Sequence, residues 1–296
     1  MLIVNPNAGR LSEHAKDEVV AALEARFNIE MFSTTARDTA IGLAANAAAS
    51  GIDLVIAFGG DGHINEVANG LAETETSLGI IPAGTMNVFA RALGVPMEPF
   101  AAIDHLQGAL SLAPRRVPLG LMDERYFTFS AGCGFDAEAA ERVERDLPTK
   151  RRFGELFFFW SAFRVLAGSH RHRNPSMVLS GSFGELAVSM AIACNAGPYA
   201  YLGPVSIDVA PHVSLDGGLD IFALKQMRIE ALPLYTWRVL VSHDIVNHDD
   251  VFYANDLKKF ELVSDSPFSR HVDGEPLAPA TSARFAIVSE VLKVRA

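Results

Sequence analysis

Residues 53–71, DLVIAFGGDGHINEVANGL, change their period halfway along. From Leu54 to Phe58 every side chain is apolar, as in a strand buried on both faces; beyond the glycines, Ile64, Val67 and Leu71 recur at helical spacing. The turn between them, Gly59-Gly60-Asp61-Gly62, is a strand-to-helix loop whose backbone N–H groups can approach an anion without a Cβ in the way. The helix that follows adds a favourable dipole, so phosphate is the natural guest. A tight turn that only needs positive φ is the other reading of the same residues. No Gly-Lys-Ser/Thr follows, so the loop is not a Walker A motif, and it is not Gly-x-Gly-x-x-Gly either. Asp61 inside the glycines would repel bare phosphate, so a phosphate loop here implies Mg²⁺ nearby.

The pattern repeats outward from this stretch. Short apolar runs at 2–4, 29–32 and 78–81 alternate with helical stretches at 12–27, carrying Val19, Val20 and Leu23, and at 37–49, which is rich in alanine. This predicts a parallel α/β sheet over the first third of the chain. Each strand ends in loop chemistry: NPNAG at 5–9, STT at 33–35, GGDG at 59–62 and PAGT at 82–85. In open α/β sheets these carboxyl-end loops line the ligand crevice. Pro82-Ala83-Gly84-Thr85-Met86-Asn87 opens a further helix, with Thr85 suited to its N-cap. Asn5 to Arg10 offers amides for a base or ribose and a guanidinium for phosphate. One such loop is a weak signal, whereas several on successive strand ends converge on one crevice.

After residue 114 the texture turns mainly β, with strands expected at 125–131, 185–193, 205–210, 219–224 and 259–263, and helices at 137–145, 156–166 and 229–241. A strand-like stretch at 282–289 could belong to either half. Two turns in this half carry carboxylates: Asp216-Gly217-Gly218-Leu219-Asp220 and Asp273-Gly274-Glu275. Each reads alone as a hairpin turn. Together they could give one cluster to a metal and the other to a general base that takes a hydroxyl proton.

Composition narrows the classes. The chain has 296 residues, 49% hydrophobic and 20% charged, which excludes a disordered chain. Its net charge of −10 argues against a nucleic-acid partner. Two cysteines, Cys133 and Cys194, make no disulfide framework and point to a reducing compartment. The N-terminus has no cationic signal region, and LFFFWSAF at 156–163 is too short to span a bilayer, so a cytoplasmic protein with at most peripheral membrane contact is expected. Between Arg145 and Arg173 seven basic and two acidic residues surround Phe153, Phe157, Phe158, Phe159, Trp160 and Phe163, a local balance of +5. Such a strip suits an anionic membrane; the other reading is a core helix with a solvated basic rim, since aromatic runs on helices are usually core.

The ordered set NPNAG, Thr35, GGDGHINEVANGL, PAGTMN, AGCGFDAE, Asn195, LDGGLDIF and DGEPL resembles the bacterial diacylglycerol kinase-like lipid kinases, relatives of NAD kinase and phosphofructokinase, over nearly the whole chain. The resemblance implies a phosphofructokinase-like α/β nucleotide domain at 1–114, a mainly β, sandwich-like lipid domain at 115–280, and a segment at 281–296 that returns to the first. It implies that Asn5, Gly9, Arg10, Thr35, the loop Gly59, Gly60, Asp61, Gly62, His63, Ile64, Asn65 and Glu66, and then Gly84 and Thr85, contact ATP. It makes Glu275 the proton acceptor, with Asp273 beside it. It gives Asp216 and the carbonyls of Val213 and Gly218 to one Mg²⁺, and a second, nucleotide-borne Mg²⁺ to the neighbourhood of Asp61. The acceptor so implied is a lipid hydroxyl, diacylglycerol first. The family loop reads GGDGT, and His63 stands at its fifth position. That departure keeps a degenerate, lipid-binding relative open beside a kinase. A soluble NAD kinase is a third reading, against which stands the lack of an Asn-Asn-Glu motif.

Overall fold

A computed structural model describes residues 1–8, 11–134, 137, 176–202, 205–226 and 228–296. They form two units, Met1–Leu119 with Val288–Ala296, and Gly120–Ile287. The aromatic and basic strip at 145–173, the helices expected at 137–145 and 156–166, and Gly9 and Arg10 lie outside the described residues, save Ala137, which is helical.

In the first unit, β1 (Leu2–Val4), β2 (Met31–Ser33), β3 (Leu54–Gly59) and β4 (Ser77–Pro82) pair in parallel in the order β2-β1-β3-β4. The last strand of the chain, β16 (Glu275–Val294), adds its end to β4 in parallel, Lys293 beside Ser77 and Val294 beside Leu78. Both central strands are buried almost throughout, which is why 54–58 and 78–81 read as unbroken apolar runs. Helix α1 (Glu13–Glu24) is capped by Ser12, whose hydroxyl accepts from Ala15 N at 3.2 Å, and it buries Lys16, Val19 and Leu23 on one face. Helix α2 (Thr39–Ala49) buries Ala40, Ala44 and Ala47 and packs on α3 (Asp61–Leu71). The contact is close: a Cβ on Gly70 would stand 2.4 Å from the Ile41 carbonyl oxygen and 2.7 Å from Ala44 Cβ. Helices α4 (Val88–Ala92) and α5 (Pro99–Ala109) complete the unit.

The second unit is mostly β. Its strands are the end of β5 (Arg115–Met122), then β6 (Arg125–Phe127), β7 (Ser130–Gly134), β8 (Met177–Gly181), β9 (Gly184–Val188), β10 (Met190–Cys194), β11 (Ala200–Leu202), β12 (Val205–Ile207), β13 (Leu219–Leu224), β14 (Val251–Leu257), β15 (Lys259–Val272) and the start of β16. The order β14-β13-β10-β7-β15-β16 is antiparallel. Strand β15 pairs with β8 over Phe260–Val263 and with β7 over Arg270–Val272; its register slips between Val263 and Phe268, where Pro267 sits. Strands β10 and β13 are buried on both faces. Ala191, Ala193, Ile221 and Ala223 enter one core with Phe127, Phe260 and Phe285, whereas Met190, Ile192, Phe222 and Leu224 enter a second with Tyr235 and Ile245.

The strand expected at 205–210 ends at Ile207, and the one expected at 259–263 runs on to Val272. Three other expected elements are divided. The strand at 125–131 breaks at Thr128 and Phe129, because their amides turn to the Asp273 carboxylate. The run at 185–193 is two strands that part at Ser189, β9 pairing with β8 while β10 joins β7 and β13. The helix at 229–241 is a 3-10 turn (Ile229–Ala231), then α6 (Leu232–Trp237), then a π-helical turn (Arg238–Ser242). Among the described residues no helix is long and apolar enough to cross a membrane.

Candidate active site

The first unit gathers its loops at the carboxyl ends of β1 to β4. Asn5 follows β1: its backbone N donates to Phe58 O at 3.0 Å and its side-chain oxygen accepts from Asn7 N at 2.9 Å, closing an Asx turn. Lys16, buried on α1, donates to the Pro6 carbonyl and holds that turn down. After β2, Thr34 N donates to Val4 O at 2.9 Å, which leaves Thr35 at the surface.

The glycine loop and the PAGTMN loop meet backbone to backbone. A Cβ on Gly84 would lie 2.7 Å from Gly60 Cα, and one on Gly60 would lie 3.2 Å from Gly84 Cα, so side chains at either position would force the loops apart. Asn87 locks them: its backbone N donates to Asp61 Oδ2 at 2.8 Å, its side-chain oxygen accepts from Gly84 N at 2.9 Å, and its Nδ2 donates to Gly84 O at 2.8 Å. To do this Asn87 takes φ of +50°, a conformation asparagine tolerates better than most residues. Gly60 is the N-cap of α3 and offers no side chain to the first amides of that helix, and Gly60, Asp61 and Gly62 are all partly exposed. Thr85 is exposed beside them.

The later residues of the motif turn inward. Ile64, Asn65 and Glu66 are buried on α3, and His63 is buried with its Nε2 3.0 Å from the Ile3 carbonyl oxygen. A carbonyl can only accept, so Nε2 carries the proton. Burial pushes the His63 pKa below the ordinary 6.5, against the smaller opposing effect of that hydrogen bond. The ring packs on Gly59, where a Cβ would meet it at 2.5 Å. The residue that departs from the family motif is thus a neutral packing group between β1 and α3.

In the second unit, β15 and β16 are joined by Asp273 and Gly274, with φ of +48° and +80°, a two-residue hairpin turn of the primed kind. The Asp273 carboxylate is almost fully buried. Its Oδ2 accepts from Thr128 N and Thr128 Oγ1, both at 2.7 Å, and its Oδ1 from Phe129 N and Ser130 N, both at 3.0 Å. Burial raises its pKa while these donors pull it down. Asn195 clamps the same break from the other side, donating from Nδ2 to Thr128 O at 2.9 Å and from its backbone to Phe129 O at 2.8 Å. Glu275, the first residue of β16, is half-buried directly after this bracket.

Asp216 is exposed in the loop 213–218 that leads into β13. Its backbone N is held by Ser214 Oγ at 3.3 Å, Gly217 N by Ser214 O at 3.0 Å, and Gly218 N by Asp256 Oδ1 at 2.8 Å. Among the described residues no three His, Cys, Asp or Glu side chains group as metal ligands. One carboxylate with backbone carbonyls from the same loop is, however, a hard-oxygen donor set that suits Mg²⁺ completed by water. The deeper carboxylate, Asp220, accepts from Tyr253 OH and from Asp256 N at 3.2 Å, and burial raises its pKa.

Sequence reasoning quoted Asn87 in its motif without giving it a role, and did not single out Thr128, Lys16 or Asp256. An asparagine directly before a helix, after Gly-Thr-Met, was a usable sign of a left-handed cap; the other three act across the fold and leave no local sign.

The model of the diacylglycerol kinase catalytic domain matches residues 1–114. The Diacylglycerol kinase of Bacillus subtilis is 30% identical over 291 residues, covering 93% of this chain and 91% of that protein. A protein of Chromohalobacter salexigens named "Probable lipid kinase YegS-like" is 38% identical over 295 residues, 93% of this chain and 86% of its own. A crystal structure of a diacylglycerol kinase from Bacillus anthracis str. Sterne superposes with a TM-score of 0.76 at 26% identity, over 99% of this chain and 95% of that one. An NAD kinase from Archaeoglobus fulgidus shares the fold more distantly, with a TM-score of 0.52 at 11% identity over 100% and 92% of the two chains. Identity of 30% and more over almost the full length of both chains leads to one conclusion: the chain belongs to the diacylglycerol kinase-like lipid kinase family.

Proposed function

We propose that this chain is an ATP-dependent kinase that transfers the γ-phosphoryl group to a lipid hydroxyl, diacylglycerol giving phosphatidic acid first among acceptors. The observation that carries this reading is the contact of Gly60 with Gly84 beneath the uncapped amino end of α3, with Asn5, Thr35 and Thr85 on the adjoining strand ends. Backbone amides fixed in this way supply phosphate contacts without reorganisation, which is most of what a loose phosphoryl-transfer transition state requires. Gly9 and Arg10 belong to the same proposed nucleotide set. Mg²⁺, when bound, would neutralise charge on the transferring phosphoryl group; Asp61 would hold the nucleotide's ion, and Asp216 with the carbonyls of Val213 and Gly218 a second one.

Glu275 is the proposed base. With four donors on its carboxylate, Asp273 acts as the bracket that sets the turn. His63 gives no support to a degenerate kinase, because its ring is occupied with Ile3 and Gly59. Contact of the 145–173 strip with anionic membrane belongs to the same proposal, and sedimentation with neutral and with anionic vesicles at low salt tests it: equal binding to both rejects it.

The deciding experiment is transfer of label from γ-labelled ATP, with Mg²⁺, into dispersed diacylglycerol and in parallel into a total lipid extract and NAD. Labelled phosphatidic acid supports the reading; label in NAD alone, or in no product, overturns it. Glu275→Gln should lower turnover by roughly 100-fold or more while ATP affinity and melting temperature stay as in the parent.

A further inference from the structure

Helix α2 starts without a local cap. Asp38, at its N-cap, has φ of +61° and makes no side-chain capping bond. The cap arrives from another helix: Glu66 Oε1 accepts from Asp38 N at 2.9 Å and Glu66 Oε2 from Ala40 N at 3.0 Å. Glu66 is 6% exposed and lies on α3, whose amino end is the glycine loop. A carboxylate at a helix amino end satisfies two orphan donors and complements the dipole.

The consequence falls on Thr35. On one side of it Thr34 N is tied to Val4 O; on the other Asp38 N is tied to Glu66. Only residues 35–37 span the two anchors, so the path of Thr35 is set by a strand end and by α3. We infer that Glu66 is a positioning residue: it governs nucleotide binding by pinning the Thr35 segment to the helix that carries the glycine loop, and both of its oxygens serve that purpose instead of touching the nucleotide. This rests on the nucleotide reading given above.

Glu66→Gln tests it, because glutamine keeps the shape, offers one acceptor oxygen, and turns an NH₂ against the second backbone N–H. Without nucleotide, the amides of Asp38 and Ala40 should exchange hydrogen at least about 10-fold faster in Glu66→Gln, while those of β3 and β4 keep their protection and so report an intact fold. With ATP, the dissociation constant should rise about 10-fold, kcat at saturating ATP should change little, and Thr35→Val, which should itself weaken ATP binding in the parent, should add almost nothing when combined with Glu66→Gln. Glu66→Ala should give the same pattern, more strongly. Unchanged exchange at Asp38 and Ala40 overturns the cap. Additive effects of Thr35→Val and Glu66→Gln, or unchanged ATP affinity, overturn the positioning role. Parent protein that binds no ATP overturns the nucleotide reading and the positioning role with it, while the exchange data still report on the cap.

Discussion

His63 shows how one substituted residue in a motif can keep a fold and add a property. Its ring is buried and its pKa lies below the ordinary 6.5, so the sign of the pH effect follows. Well above 6.5 neither folded nor unfolded chain holds a proton there; as pH drops through 6.5 the unfolded chain takes one up first, and stability falls as the pH falls. The first unit should therefore lose stability between pH 7.5 and 5.5 with a contribution of up to about 1.4 kcal/mol per pH unit from this residue. His63→Thr removes the titrating group, so its urea midpoint should fall less over the same range, whatever the change at pH 7.5. An equal slope in both proteins would assign the acid sensitivity elsewhere. Asp273 makes a contrasting case. Asp273→Ala orphans three buried amides and a hydroxyl at once, and a cost of about 3 kcal/mol or more is expected. Thermal melting separates the two carboxylates of this turn: Asp273→Ala should melt well below the parent, and Glu275→Gln should melt with it.

Among the elements, those whose burial follows the period of their own side chains were legible. Strands β3 and β4 are buried on both faces and α1 on one, and their patterns say so. Where a boundary is set by a group distant in sequence, nothing local could show it. Thr128 and Phe129 leave their strand for Asp273, 145 and 144 residues away, and α2 begins at Thr39 because Glu66 caps it from 26 and 28 residues on. The site divides the same way: the glycine loops were legible as motifs, but their interlock through Asn87 and the inward turn of His63 were not. Helix packing gives a paired prediction. Gly→Ala inside a helix ordinarily gains about 1 kcal/mol. At Gly42 of α2 a Cβ would meet nothing within 4 Å, so Gly42→Ala should raise the melting temperature. At Gly70 of α3 the same Cβ would stand 2.4 Å from the Ile41 oxygen, and overpacking of about 1–3 kcal/mol outweighs the propensity gain, so Gly70→Ala should lower it.

At the scale of the whole molecule, the chain's order in sequence is not its order in space. Strand β16 runs from Glu275 to Val294, with residues 275–287 counted in the second unit and 288–296 returning to the first. The return carries weight in the first unit's core: Val291, Leu292 and Val294 are 3%, 0% and 1% exposed, and Val294 lies beside Leu78 in the parallel sheet. Burying three such side chains is worth about 5–9 kcal/mol at roughly 1.5–3 each, before the lost strand pairing is counted. That is comparable with the whole stability of a typical domain, about 5–15 kcal/mol. A chain ending at residue 287 should therefore lose the fold of its first unit and all ATP binding. In the second unit, β7, β10 and β13 take no part in that return, so their amides should keep their protection. Hydrogen exchange followed segment by segment distinguishes this from general collapse: loss of protection in β1, β3 and β4 with retention in β10 and β13 is expected, and protection retained in all five would show that the returning strand is dispensable.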